Sequence, residues 1–332
     1  MPSHWFYGGS RQVQEVFGGS LKGYSPPPKH FPDSIMALSN TGGAGRGSDD
    51  GDIIGAVINH GKKQYWERGA GHHYHVTLEA GENTLEGEMA RLSMRSMTRG
   101  SFDLDRLQEE YVAFMTTPGS HNDAYASTYH RMFFANRARG LPLRDCPDND
   151  AHNVDTIDGL VVPLPVILGT VLHDEEESVR TAQASVRATR KSARVEEYMP
   201  LLVGLLRGAL NGGTPSDLAQ GAAEQLYGAR LSTESGDPVV ACYVDQNFQS
   251  LLHFAAKYPD FRECLLANAN AGGENVHRGL VLGALLGAFL GAEGIPSDLK
   301  AGLKHHEELG REIEAFVAAV EARAPREGAA DL

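Results

Sequence analysis

Cysteine is scarce in this chain: 3 in 332 residues, at Cys146, Cys242 and Cys264. Three widely spaced thiols make no disulfide framework and no CxxC zinc motif, which suits a reducing compartment. Positive charge is short as well. Thirty Lys and Arg face 43 Asp and Glu, for a formal net charge of −13. Nucleic acid and anionic lipid surfaces are bound through clustered Lys and Arg, so neither is an expected partner. The best apolar run, Leu280–Leu290, reads as too short and too glycine-rich to span a bilayer. The first residues, MPSHWFYGGSRQVQEVF, lack a basic-then-apolar leader pattern. The expectation is a cytoplasmic protein acting on a small molecule. The sequence carries no signal of oligomeric state.

Several catalytic signatures are also missing. There is no G-x-S-x-G, no GxxxxGK[ST], and no GxGxxG between a strand and a helix. HExxH is absent too. A Ser–His–Asp hydrolase and the common nucleotide-binding loops are therefore not indicated.

What is present is glycine, 38 residues of it, combined with helical periodicity. Residues 1–47 are rich in Gly, Pro and Ser and read as an irregular extension. Residues 48–323 read as one helical domain, and 324–332 as a frayed tail. Glu86–Thr98, Leu104–Met115, Ser178–Ala188, Glu196–Leu210, Pro215–Tyr227, Val240–Tyr258, Leu280–Leu290 and Leu299–Ala322 carry helical patterns. Thr84 and Thr214 stand where N-caps belong, the second followed by proline at the first helical position. Val161–Leu172 is apolar and β-branched enough for a strand, but Pro163 and Pro165 argue against a central one. Alternating strands are missing, so the fold class is all-α rather than parallel α/β.

Polar residues gather in a few places. Asn270–Gly291 (NAGGENVHRGLVLGALLGAFLG) sets Glu274, Asn275 and His277 at the mouth of an apolar helix. Helix starts carry unpaired N–H groups and partial positive charge. The glycines within it suggest that another backbone packs close. Gly71–Met89 holds His72, His73, His75, Glu79, Glu82, Asn83, Thr84, Glu86 and Glu88, which is either a transition-metal donor set or a polar lead into a helix. Ser48–Gly55 carries Asp49, Asp50 and Asp52. Cys146–Asp158 is an acidic loop whose Asp148, Asp150, Asp155 or Asp158 suit a cation, without EF-hand spacing. On Tyr243–His253, Asp245 and Gln249 share a helical face.

Four of these segments, in order and spacing, resemble one family. Gly51–Val57, Leu78–Met89, Ser185–Leu202 and Tyr243–Gly291 are similar to the four motifs of the ADP-ribosylglycohydrolases, over about Asp52 to Pro296. The resemblance implies a compact, orthogonal all-α domain and a hydrolase that uses two magnesium ions beside a ribose. Carried over by position, Thr84 matches the first threonine of the acidic motif. Leu85 stands for its first aspartate, Glu86 for the second and Gly87 for the second threonine. In the closing motif Glu274 and Val276 stand for the two aspartates, and His277 for the threonine. Arg190 replaces a histidine.

With apolar residues at two carboxylate positions, a magnesium pair is not expected. Either no cofactor or one divalent metal is. The remaining set, Glu82, Asn83, Glu86, Glu274, Asn275 and His277, is expected to converge in one cleft. Glu86, Glu274 and His277 are the candidate catalytic residues, working by acid–base chemistry with a glutamate raised in pKa by burial. Asp52, Glu82, Asn83, Thr84, Asp155, Asp245 and Asn275 are the candidate substrate contacts. The substrate implied is a small, nucleotide-like molecule. The first reading is a divergent enzyme on this scaffold that acts on a different small molecule, without magnesium. Hydrolysis of an ADP-ribosyl or related ribosyl bond is the alternative, and a non-catalytic binding protein a second alternative.

Overall fold

The computed structural model describes residues 22–23, 53–67, 71–151, 153–238 and 242–325. All of the expected N-terminal extension but residues 22–23 lies outside the described residues, as do Asp49, Asp50, Asp52 and most of the expected frayed tail. The described residues form helices and turns, with no strand among them beyond two isolated bridges.

The principal helices are α1 (Leu85–Arg99), α2 (Leu104–Thr116), α3 (Thr128–Ala138), α4 (Pro163–Gly169) and α5 (Glu175–Val186). They continue with α6 (Ala193–Glu196), α7 (Met199–Leu210), α8 (Pro215–Tyr227), α9 (Val244–Lys257) and α10 (Phe261–Ala271). The last are α11 (Asn275–Gly294), α12 (Ser297–Ala301) and α13 (His306–Ala322). The ambiguous 161–172 stretch is helical. A 3-10 turn, Ile157–Leu160, leads into α4, whose Pro163 falls at a helix start where its missing N–H costs nothing. The caps hold: Thr84 Oγ1 accepts from Gly87 N, and Thr214 Oγ1 from Asp217 N. The segment expected as one helix from Leu299 to Ala322 breaks into α12 and α13, with His305 in the left-handed region between them.

Two apolar cores result. One is built by α7, α8, α9, α10 and α11 around Leu206, Phe248, Leu252 and Leu282. The other lies under α1, α2 and α3 around Met89, Tyr111, Phe133 and Phe134. α13 seals α1 against α4 through Phe316 and Val320, which meet Met97 and Val166. Ion pairs from Arg91 and Arg95 to Glu312 fasten the same contact.

Two expectations about the glycine-rich helix are corrected. α11 is 20 residues, long and apolar enough by length and composition to cross a bilayer. Its inner face instead packs into the first core through Val281, Leu282, Leu285 and Leu286. Its glycines do not mark a close backbone: nothing lies within 4 Å of a Cβ placed at Gly283 or Gly291, and Gly279 meets only the Asn268 side chain.

Candidate functional site

The two cores meet at a small cavity of about 70 Å³. From the second core come Leu85 and Glu86 of α1 and the segment Asp123–Thr128. From the first come Asn153, Thr156 and Asp158 ahead of α4, and Gly273–His277 at the start of α11. Tyr74, His75 and Cys242 complete the wall.

α1 places Glu86 inward because it shares a face with Met89, Ser93 and Met97, all buried. The start of that helix is held by Asp123, whose Oδ2 accepts from Leu85 N at 2.8 Å while Oδ1 meets His75 Nδ1 at 2.9 Å. Glu86 is 5% exposed, so its carboxylate needs partners to stay charged. Tyr129 OH donates to Oε2 at 2.7 Å and Ser127 Oγ to Oε1 at 3.2 Å. His130 Nε2 lies 3.3 Å from Oε1, with Tyr111 OH 2.7 Å from its Nδ1. Burial pushes the Glu86 carboxyl up. The hydrogen bond and charge of His130, the charge of His277 and the Tyr129 hydroxyl outweigh it and hold the group near 2. The expected burial-raised acid is therefore not Glu86, which is held ionised.

Opposite, Asp158 is gripped by the buried guanidinium of Arg190 and by Thr156 Oγ1. Arg190 also donates to Val154 O at 3.1 Å and lies 3.8 Å over the Tyr129 ring. The 153–158 segment is tied to the start of α9 by Ile157 N to Cys242 O at 3.0 Å and Val244 N to Asp155 O at 3.1 Å.

The third side is the turn between α10 and α11. Gly272 and Gly273 both take positive φ, 73° and 65°, which side chains rarely adopt. Arg278, fully buried, donates to Gly272 O at 2.8 Å and to Asn247 Oδ1 at 3.0 Å, pinning the turn from below. The turn delivers Glu274 and His277 together, Nδ1 to Oε2 at 2.6 Å. His277 Nε2 then faces Glu86 Oε1 at 4.0 Å. Burial alone pulls the His277 imidazole down, but the charge and hydrogen bond of Glu274 and the charge of Glu86 lift it to about 9. Donor atoms of Glu86, Asp158 and His277 all lie within 4.8 Å of one another. Asn275 is 1% exposed and lines the same cavity, yet its Oδ1 has no partner.

Of the sequence-expected residues, Glu86, Glu274, Asn275 and His277 come together here. Glu82 and Asn83 do not. They precede the Thr84 cap, where the chain turns outward, into a separate groove with Lys304 and His121. There Glu82 meets Asn122 and Lys304, and Asn83 donates to Glu88. Thr84 is spent on the cap. Asp155 binds Ser192 Oγ and Asn149, and Asp245 binds Tyr198 OH and Arg194 on the surface; neither lines the cavity. His75 serves Asp123, and His73 Nδ1 accepts from His75 N. Sequence reasoning misses Asp123, Ser127 and Tyr129, and offers Asp158 only as one of four loop carboxylates suited to a cation. The signal that singles out Asp158 is its place immediately before the apolar 159–167 run.

Comparison with known proteins bears on the fold and the family. The sequence model of the family described as ADP-ribosylglycohydrolase matches residues 41–329. The chain belongs to the ADP-ribosylglycohydrolase family. One relative is the ADP-ribosyl-[dinitrogen reductase] glycohydrolase of Rhodospirillum rubrum, 25% identical over 288 residues, 83% of this chain and 95% of that one. A solved structure titled "ADP-ribosylglycohydrolase-related protein complex" shares the fold, with TM-score 0.55 and 22% identity over 83% of this chain and 95% of the other. Membership supports a hydrolase of this type and a family that normally uses metal.

The residues here do not fit a pair of magnesium ions. Leu85 is apolar and 1% exposed, and Val276 also lines the cavity with no donor. Asp123 is spent on the α1 start and His75, and Glu274 on His277. What remains converges at one point and includes a nitrogen, whereas magnesium is held by oxygens.

Proposed function

We propose that this protein hydrolyses an N- or O-glycosidic bond in an ADP-ribosyl or related ribosyl compound, with the ribose at the cavity between α1 and α11. The observation that carries the reading is the buried Glu86–Asp158–His277 cluster, in which Glu86 and His277 stand at family motif positions. Glycosidic hydrolysis passes through an oxocarbenium-like state and is served by carboxylates on either side of the scissile bond. Glu86 and Asp158, fixed by Tyr129, Ser127 and Arg190, are preorganised to stabilise that positive charge. Glu274, less buried than Glu86 and Asp158 and hydrogen-bonded to His277, would accept the proton of the attacking water and return it to the departing group. The cavity is too small for a whole nucleotide, so the base and phosphates would lie toward its mouth. Tyr74 and Tyr125, edge to face at 5.1 Å, give the cavity an aromatic wall.

The test is turnover of ADP-ribosyl-arginine, ADP-ribosyl-serine and ADP-ribose esters by the full chain. Glu86→Gln and Glu274→Gln should each lower kcat by about 10²- to 10³-fold. No turnover of any ribosyl substrate by the unaltered chain would sink the proposal.

A further inference from the structure

We propose that the cavity is a mononuclear site for one divalent transition-metal ion of the manganese or zinc kind, held by a Glu86 oxygen, an Asp158 oxygen and His277 Nε2. The proposal shares its cavity with the hydrolase reading and rests on that reading only for what the ion would be used for. Three observations carry it. First, the three donor atoms lie within 4.8 Å of one another, on side chains that are 5%, 6% and 7% exposed. They come from α1, the 3-10 turn before α4, and α11, and so converge from three sides.

Second, each donor has an outer partner that aims it. Glu274 takes the Nδ1–H of His277, which leaves Nε2 toward the two carboxylates. Tyr129 fixes the far oxygen of Glu86, and Thr156 and Arg190 fix Asp158. A carboxylate behind a ligating imidazole is the usual support of such metal sites. Third, the unpartnered Asn275 Oδ1, in a residue 1% exposed, lines the same cavity. An acceptor in that state calls for a donor, which an ion-bound water supplies. About 70 Å³ leaves room for an ion and one or two waters.

The donor chemistry selects the ion. One imidazole with two carboxylates suits manganese or zinc better than magnesium or calcium, which take oxygen ligands. Four carboxylates, Glu86, Asp123, Asp158 and Glu274, line the cavity, so a double positive charge is compensated. Bound there, such an ion would offer Lewis acidity and a water of lowered pKa.

Isothermal titration of the chelator-treated full chain with manganese, zinc and magnesium chlorides tests this. The expected result is one manganese or zinc per chain, with magnesium at least tenfold weaker. His277→Ala and Asp158→Asn should each weaken binding more than tenfold, and Glu274→Gln by about 10- to 100-fold. If a variant fails to fold, pulsed electron paramagnetic resonance on the unaltered manganese-loaded chain decides. A coupling to one imidazole nitrogen is expected. Two ions per chain, magnesium bound as tightly as manganese, no binding below millimolar, or no nitrogen coupling would each overturn the proposal. One bound ion without ribosyl turnover would overturn the functional reading alone. Ribosyl turnover without an ion would overturn this one alone.

Discussion

Replacing Arg190 with methionine should damage the protein through an orphaned charge rather than through lost volume. Arg190 is 1% exposed and pairs with Asp158, itself 6% exposed. Removing one partner of a buried pair costs about 3–5 kcal/mol, because the other charge stays buried without compensation. The hydrogen bond to Val154 O and the stacking on Tyr129 disappear in the same change. In a domain of this size each kcal/mol moves Tm by about 2–4 °C, so a fall of about 6 °C or more is expected. Thermal and urea unfolding of Arg190→Met, Asp158→Asn and the double variant give the check. The amide introduced by Asp158→Asn carries no charge, so the double variant should recover about 1–3 kcal/mol relative to the sum of the singles. If Arg190→Met unfolds within about 1 kcal/mol of the unaltered chain, or the two changes simply add, the pair does not hold the cavity wall as argued.

Three further outcomes are expected. Burial pushes the His121 imidazole down to about 4, against the attraction of Asp123. A group neutral in the fold at a pH where the unfolded chain would protonate it stabilises the protein fully above about pH 6.5. That stability, up to about 3 kcal/mol, is lost as pH falls toward about 4, so urea midpoints of His121→Gln should fall less steeply over that window; an identical slope refutes the assignment. At Gly159, beside Asp158, an added Cβ would sit 2.8 Å from both Cγ atoms of Val195. Gly159→Ala should cost about 1–3 kcal/mol by overpacking, and Val195→Ala in the same chain should restore much of it; no rescue in the melting curve counts against the contact. Glu312, held near 2 because the hydrogen bonds and charges of Arg91 and Arg95 outweigh its partial burial, should hold α13 down above pH 4.5 and release it as pH falls toward 2. Glu312→Gln should raise proteolysis near residue 303 at neutral pH, with a stability loss of about 1 kcal/mol.

The helices were legible where periodicity and a cap coincide, as at Thr84 and Thr214, because both signals are local. The break between α12 and α13 was not, since apolar spacing continues across it and only the backbone at His305 turns. In the site, Glu86, Glu274 and His277 were legible from motif position. Glu82 and Asn83 failed because residues on the two sides of a cap point in different directions, and spacing alone does not register the turn. Asp158 was hidden among the carboxylates of the 148–158 loop. Which of them turns inward is set by Arg190 and by the tie to α9, both far away in sequence. Nor does a sequence show that burial and hydrogen bonding leave Glu86 ionised, because desolvation and its partners pull in opposite directions.

The position of the cavity between two separately packed cores has a consequence for folding. Glu86 and His277 lie more than half the chain apart in sequence, and each is anchored in a different core. The cluster forms only where the two cores meet. A ligand that binds the cluster therefore acts as a staple across the seam. At a hundred times its dissociation constant it adds about 2.7 kcal/mol to the state with the seam closed and nothing to any state in which the seam has opened. Amide exchange at the seam should slow with ligand while exchange deep inside each core, already limited by global unfolding, changes only as global stability does.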